Sequence, residues 1–301
     1  MAQDLMRGFM FNDMDIRGVH ISLNESVQTL LQQHNYPIAV SSILSQLYIA
    51  SALLSANLKL QGRLSVQVRG DGPLEYAMAE CRVEQPGTLE PLFLKGLARH
   101  AAQVDDNLGL HELIGKGQLV ITIEPDEGQR YQGIVGLDRA TLAECLEGYF
   151  YQSEQLPTHL QLEMHGEQAA GFMVQRLPTG VSDEAQADED WELVHALVAT
   201  LSSEELLALP AEEVLHRLFH EHDVQVFAQR PVGYQCDCSR ERSAHAIVAL
   251  GQVEVDEVLE ELGRLTIDCQ FCNTQYVFDK VDCHLLFNPN SSAPTAQDTL
   301  H

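Results

Sequence analysis

Four cysteines near the C-terminus have the spacing best suited to chemistry: Cys236-Asp-Cys238, then Cys269-Gln-Phe-Cys272 after thirty intervening residues. Two close pairs set apart by a helix-length insert bring four thiolates to one tetrahedral centre, and Zn²⁺ is the metal that an all-sulfur site favours. The first pair is C-x-C where an ordinary zinc ribbon has C-x-x-C. Its sulfurs stand one residue closer, able to share a metal or to close on each other by oxidation. Three readings of the quartet stand side by side: a structural zinc staple, a zinc site with a redox role, and a cluster of buried small apolar side chains. Spacing alone does not separate the first two.

No other motif completes a chemical site. His111-Glu112 begins like a metalloprotease helix, but the second His would fall on Gly115. Gly115-Lys116-Gly117 lacks the Gly five positions upstream and the following Ser or Thr of a phosphate loop. Neither Cys pair follows Pro, as a zinc deaminase requires. Arg69-Gly70-Asp71 is accounted for by a turn. The thirteen His are scattered, Cys81 and Cys145 are expected to be buried apolar side chains, and no nucleophile has an assignable base. The expectation is a protein that is not an enzyme.

Charge narrows the partners. Eighteen Lys plus Arg against 44 Asp plus Glu give a formal charge of -26, which repels phosphate backbones and anionic lipid. Nucleic acid and membranes are therefore not expected as partners. Residues 1–15 offer no basic start, apolar run and small-residue cleavage site, so a cytoplasmic location is expected. Residues 35–58 carry no charge but are broken by Ser41, Ser42, Ser45, Gln46, Ser51, Ser55 and Asn57, which favours a buried helix over a bilayer span. Seven cysteines, an odd number, suit a thiolate site in a reducing compartment better than a disulfide framework.

The elements that must position the quartet follow from periodicity. Val19, Ile21 and Leu23 alternate as a strand and lead into a helix through Val27, Leu30 and Leu31. Pro37 opens a long core helix through Val40, Ile43, Leu44, Leu47, Ala50, Leu53 and Leu54. Hairpins are expected over residues 64–78, around Gly70-Asp-Gly-Pro73, and over 119–137, around Pro125-Asp-Glu-Gly128. A Thr141/Glu144 capping box opens a helix, and 160–164 and 172–177 read as strands. An acidic run from Asp183 to Asp190 follows Pro178-Thr-Gly180 and marks a boundary. Short helices through Trp191, Leu193, Leu197, a Ser202/Glu205 capping box, Leu206, and Pro210 to Phe219 cannot bury their apolar faces on one another alone. The fold expected is α+β: a core domain of antiparallel hairpins with helices over 1–178, a helical metastable linker over 179–231, a small four-cysteine zinc module over 232–287, and a disordered tail over 288–301. The module is too small to hold a sufficient core unaided, so a metal would supply much of its folding free energy.

Six stretches together resemble the 33 kDa chaperonin family of redox-switched bacterial holdases. They are Cys236-Asp-Cys-Ser-Arg-Glu-Arg242, Cys269-Gln-Phe-Cys-Asn-Thr-Gln-Tyr-Val-Phe278, Gly70-Asp-Gly-Pro-Leu74, Gly117-Gln-Leu-Val-Ile-Thr122, Arg130-Tyr-Gln-Gly133 and Gln152-Ser-Glu-Gln-Leu-Pro157. The resemblance implies one Zn²⁺ per reduced chain on Cys236, Cys238, Cys269 and Cys272, and an inactive reduced monomer. It further implies that oxidation pairs Cys236 with Cys238 and Cys269 with Cys272, releases zinc, unfolds the linker and yields a dimerising, ATP-independent chaperone for unfolding client proteins. Cys283-His284 lies near the quartet but is no ligand pair in the family pattern; a substitute ligand or an extra disulfide there is the alternative. A thiol oxidoreductase is a competing class, and it would place C-x-x-C at a helix start in a βαβ unit. A purely structural zinc-ribbon binding protein is another.

Overall fold

A computed structural model describes residues 4–56, 58–59, 61–178 and 183–288. The chain forms two compact units, residues 1–235 and 236–301. The expected break at Pro178-Thr-Gly180 runs into 179–182, and the expected tail covers 288–301; except for Pro178 and Asn288, both lie outside the described residues.

The first unit begins with β1 (Leu5–Phe11), β2 (Ile16–Leu23), α1 (Glu25–Gln32) and the long α2 (Ile38–Ser55). Next come β3 (Gly62–Arg69), β4 (Leu74–Val83), β5 (Leu92–His100), α3 (Leu110–Ile114), β6 (Gln118–Pro125) and β7 (Tyr131–Gly136). Helix α4 (Leu142–Tyr149) runs into a π-helical turn, Phe150–Glu154, ahead of β8 (Thr158–His165) and β9 (Gln168–Arg176). Three helices follow, α5 (Glu184–Val198), α6 (Ser203–Ala208) and α7 (Ala211–Phe219), and then β10 (Val224–Val226) and β11 (Arg230–Tyr234). The strands join in the order β7-β6-β3-β4-β5-β11-β1-β2-β9-β8, with β10 alongside β1. All pair antiparallel except β11 with β5.

Helix α2 is apolar and long enough to cross a membrane, yet 78% of it is buried within the protein, against β3, β4, β5, β8 and β9. Gly171 permits this approach, because a Cβ there would meet Ile49 at 2.2 Å. Strands β1, β2 and β9 are covered on both sides. Val19, Ile21, Leu23 and Met173 join the α2 core, whereas Phe9, Phe11, Ile16, Ala170, Phe172 and Val174 join a second core with Val194, Val198, Leu206, Val214, Leu215, Leu218 and Phe219. Side chains alternate across a strand, so one sheet region serves two layers of helix. This second core supplies the outside cover that α5 to α7 need; Leu193 stays 43% exposed.

Both capping boxes are formed, at Thr141/Glu144 and at Ser202/Glu205. The acidic run is helical from its start. Asp183 accepts the Gln186 N–H, and Glu184 and Asp188 pair with Arg176, an arrangement the positive end of a helix favours. Val232, which the sequence pattern groups with the cysteine module, lies in β11 opposite Leu92 of β5, within the first unit's sheet.

Candidate metal centre

The second unit consists of α8 (Arg240–Leu250), α9 (Gln252–Leu262), the hairpin of β12 (Arg264–Asp268) and β13 (Gln275–Asp279), and α10 (Lys280–Phe287). Its buried core is small: Ile247, Val255, Leu259, Leu265, Phe278 and Cys283.

Cys236 and Cys238 occupy the segment just before α8. Ser239 caps that helix by accepting the Arg242 N–H, and Arg242 pairs with Asp237 between the two cysteines. Arg240 fixes the helix start from the other side: it donates to the Val277 carbonyl at 2.7 Å, pairs with Asp282 at 2.7 Å and lies 4.2 Å over the Phe278 ring. The C-x-C arm is thereby held to β13 and α10.

Cys269 and Cys272 sit in the turn that joins β12 to β13. The Cys269 N–H donates to the Thr274 carbonyl at 2.9 Å and the Asn273 N–H to the Cys269 carbonyl at 2.8 Å. Asn273 has φ +55, a left-handed conformation that Asn tolerates better than most residues. The turn folds back tightly enough to aim both sulfurs at the C-x-C arm.

All four sulfurs lie within 4.8 Å of one another, with Cys236 3.6 Å from Cys269 and Cys238 3.4 Å from Cys272. A tetrahedral Zn²⁺ with Zn–S near 2.3 Å sets sulfur–sulfur separations of about 3.8 Å. The donor set and its spacing fit that ion, and four thiolates leave no open catalytic position. The quartet is half-buried.

Two hydroxyls address the sulfurs. Tyr276 Oη donates to Cys238 Sγ at 3.2 Å, and the Cys272 thiol donates to Thr274 Oγ1 at 3.2 Å, a hydrogen bond that reverses when the sulfur is a thiolate with no proton to give. Burial pushes the Cys236 and Cys238 thiols up. Burial also acts to raise Cys272, but the Thr274 hydroxyl and N–H and the neighbouring sulfurs outweigh it and bring the thiol down to about 7. The hydrogen bond to Cys238 holds the Tyr276 phenol up at about 12. Sequence reasoning overlooked both hydroxyls. Thr274 closes the C-x-x-C turn and Tyr276 is the second residue of β13, so the available signal is their closeness in sequence to Cys272.

The remaining cysteines stand apart. Cys81 and Cys145 are buried in the α2 core, and burial pushes Cys81 up to about 12. Cys283 is 1% exposed in the second unit's core and is outside the four-sulfur group; burial raises its thiol also. His284 lines a shallow cavity with Gln252, Asp256 and Lys280. His111 and Glu112 lie on the one-turn α3, where Glu112 caps its own helix through the Gly109 N–H.

The model of the Hsp33 protein family matches residues 4–279. The 33 kDa chaperonin of Shewanella frigidimarina is 42% identical over 297 residues, covering 99% of this chain and 100% of that protein. That of Shewanella woodyi is 43% identical over 294 residues, covering 98% and 99%. In fold, the chain is similar to the crystal structure of the 33 kDa chaperonin of Thermotoga maritima, with a TM-score of 0.79 and 23% identity over 96% of this chain and 100% of that one. A family match over nearly the whole chain and relatives above 40% identity together establish that this chain belongs to the Hsp33 family, the family of the 33 kDa chaperonins.

Proposed function

We propose that this chain is a redox-regulated, ATP-independent chaperone, not an enzyme, working in a reducing cytoplasm: inactive while reduced and zinc-bound, active once its four cysteines are oxidised. The observation that carries the reading is the group of four half-buried sulfurs in a unit with a small apolar core. Zn²⁺ bound by Cys236, Cys238, Cys269 and Cys272 would keep all four deprotonated and tie the C-x-C arm to the C-x-x-C turn. Each thiolate is then the group that meets an oxidant. Peroxide transfers one oxygen to a sulfur, giving a sulfenic acid and hydroxide; the adjacent thiolate then attacks that sulfur, closes the disulfide and displaces a second hydroxide, and each hydroxide takes up a proton to leave as water. Cys236 pairs with Cys238 and Cys269 with Cys272, and a closed disulfide no longer holds the metal.

Without that cross-link the second unit has too little core to stay folded. Its disorder reaches the first unit through the chain, which enters Cys236 directly after β11, and helices α5 to α7 then uncover Phe9, Phe11, Phe172 and their own apolar faces. Newly exposed apolar surface captures unfolding proteins and pairs two oxidised chains into a dimer. The charge of -26 keeps the loaded complex soluble.

A light-scattering assay of a heat-unfolding client without ATP tests this. Oxidised protein is expected to suppress aggregation and reduced, zinc-loaded protein to leave it unchanged. Equal suppression by both forms removes the redox regulation, and suppression by neither removes the chaperone. The closed four-sulfur shell favours one second reading, a purely structural zinc staple, which predicts that peroxide leaves zinc in place. A thioredoxin-like oxidoreductase is disfavoured because Cys269 and Cys272 occupy a β-hairpin turn and not a helix start.

A further inference from the structure

We infer that Tyr276 and Thr274 are arm-specific tuning residues of the sulfur cluster: each hydroxyl restrains one thiolate, Tyr276 the C-x-C arm through Cys238 and Thr274 the C-x-x-C arm through Cys272. The inference rests on the zinc and redox reading above and adds residues that set how readily each arm reacts. Both hydroxyls lie 3.2 Å from their sulfurs, and each addresses a different cysteine pair.

The sequence dictates this placement. Strand β13 opens on Gln275, so Tyr276 stands on the strand face next to the cysteine turn, and Thr274 is the last residue of that turn. The antiparallel register with β12, Ile267 opposite Tyr276 and Asp268 opposite Gln275, fixes how far that face reaches past the turn. The Tyr276 ring packs against the second unit's core, so its hydroxyl is aimed by buried neighbours. Thr274 is positioned by the turn itself, through the hydrogen bond its carbonyl accepts from Cys269.

Four thiolates around a dication carry a net charge of two minus, and a hydroxyl that donates to one sulfur draws off part of that excess. The sulfur becomes a weaker nucleophile toward peroxide and a better-settled metal ligand. The restrained reaction is balanced as two thiolates, one hydrogen peroxide and two protons giving one disulfide and two waters. Sulfur is oxidised, the peroxide O–O bond breaks and its oxygens are reduced. The hydroxyls enter only by donating to the attacking sulfur, so each is a positioning residue and not a reacting one.

The test uses the full chain, reduced and loaded with zinc, in the parent form and as Tyr276→Phe, Thr274→Val and Thr274→Ser. Timed peroxide exposure, followed by differential alkylation and peptide mass spectrometry, reads the initial oxidation rate of each arm separately. Tyr276→Phe is expected to speed the Cys236/Cys238 arm roughly five- to tenfold, the factor one lost hydrogen bond gives, and to leave the Cys269/Cys272 arm within about twofold. Thr274→Val is expected to do the converse, and Thr274→Ser, which keeps the hydroxyl, to match the parent. Equal acceleration of both arms would mark a general loosening, and no acceleration would mark inert hydroxyls; either overturns the inference. Competition with a chromophoric chelator under reducing conditions gives a readout independent of oxidation. Tyr276→Phe and Thr274→Val are expected to weaken zinc binding by about tenfold or more. If the parent cysteines do not react with peroxide at all, the redox function fails, while unchanged chelator competition in both variants overturns the tuning role on its own.

Discussion

At the scale of single residues, reactivity is sorted by burial and neighbours. The seven cysteines fall into two chemical groups. Cys81, Cys145 and Cys283 are packed among apolar side chains that raise their thiols, and the other four converge on one point at partial exposure. Metal analysis of reduced protein is therefore expected to show one zinc per chain in Cys283→Ser and loss of zinc in Cys236→Ser, Cys238→Ser, Cys269→Ser or Cys272→Ser; full zinc in Cys272→Ser would refute the ligand set. Peptide mapping after peroxide is expected to find Cys236–Cys238 and Cys269–Cys272 as the main products. Neighbouring thiols meet without closing a long loop once the metal no longer holds the pairs together, and a dominant Cys238–Cys269 bridge would count against it. His20 supplies a separate effect in the first unit. Burial lowers its pKa from 6.5 to about 4, with Glu212 of α7 opposing and Arg7 of β1 assisting. The folded state thus prefers the neutral ring, so its contribution is complete above about pH 6.5 and is lost as pH falls toward 4. The full shift amounts to about 3 kcal/mol, of which about 2 is gone by pH 5. Denaturant titrations at pH 7 and pH 5 are expected to show a smaller acid loss in His20→Leu than in the parent, and equal losses would sink this account.

At the scale of elements, helices α5 to α7 are the part whose stability depends on a surface they do not themselves provide. Their buried residues, among them Val194, Leu206, Val214 and Phe219, rest on the aromatic face of β1 and β9, where Phe9 lies 5.8 Å from Phe219 and 5.6 Å from Phe172. Arg7 with Glu212 at 2.9 Å, and Arg176 with Glu184 and Asp188, pin the ends of the layer. These pairs are partly exposed and add little next to the apolar contact. Leu206→Ala empties a fully buried site and is expected to cost about 2–5 kcal/mol. If this layer is the switch, that variant shows faster hydrogen exchange over 184–219 and measurable anti-aggregation activity while still reduced. Trp191, the lone tryptophan, stacks on His195 at 5.8 Å and reports the same opening by fluorescence. Identical exchange and fluorescence in reduced and oxidised protein, alongside a rise in activity, would move the switch elsewhere.

At the scale of the molecule, the two units differ in what holds them. The first has two apolar cores around a large sheet, whereas the second, among the described residues, has six buried apolar side chains and four sulfurs. Structural zinc in small modules is worth about 10–16 kcal/mol, more than so small a core provides. Removing metal with a chelator under reducing conditions is expected to abolish exchange protection over 236–288 and to leave α2 and the central strands protected. Retained protection in the second unit would show that its own core suffices.

The sequence by itself determined the features that local chemistry governs: the four-cysteine spacing, the Thr141 and Ser202 capping boxes, the α2 periodicity, the hairpins and the α+β class. Each depends on residues a few positions apart, whose hydrogen bonds and faces are set by backbone geometry. Tertiary structure alone decided the rest. Strand β5 carries buried residues on both sides, including Lys95 paired with Glu80 at 3.2 Å, so no alternation announces it. The acidic run at Asp183 is loop-like in composition until Arg176, from another element, neutralises it as a helix start. Val232 lies close to Cys236 in sequence, yet its strand is claimed by the sheet edges of β1 and β5. The hydroxyls of Tyr276 and Thr274 acquire a role only because hairpin register and turn geometry carry them to the sulfurs of Cys238 and Cys272. In each case the deciding partner is distant in sequence or fixed by register, and such pairing is settled by which surfaces meet when the chain packs.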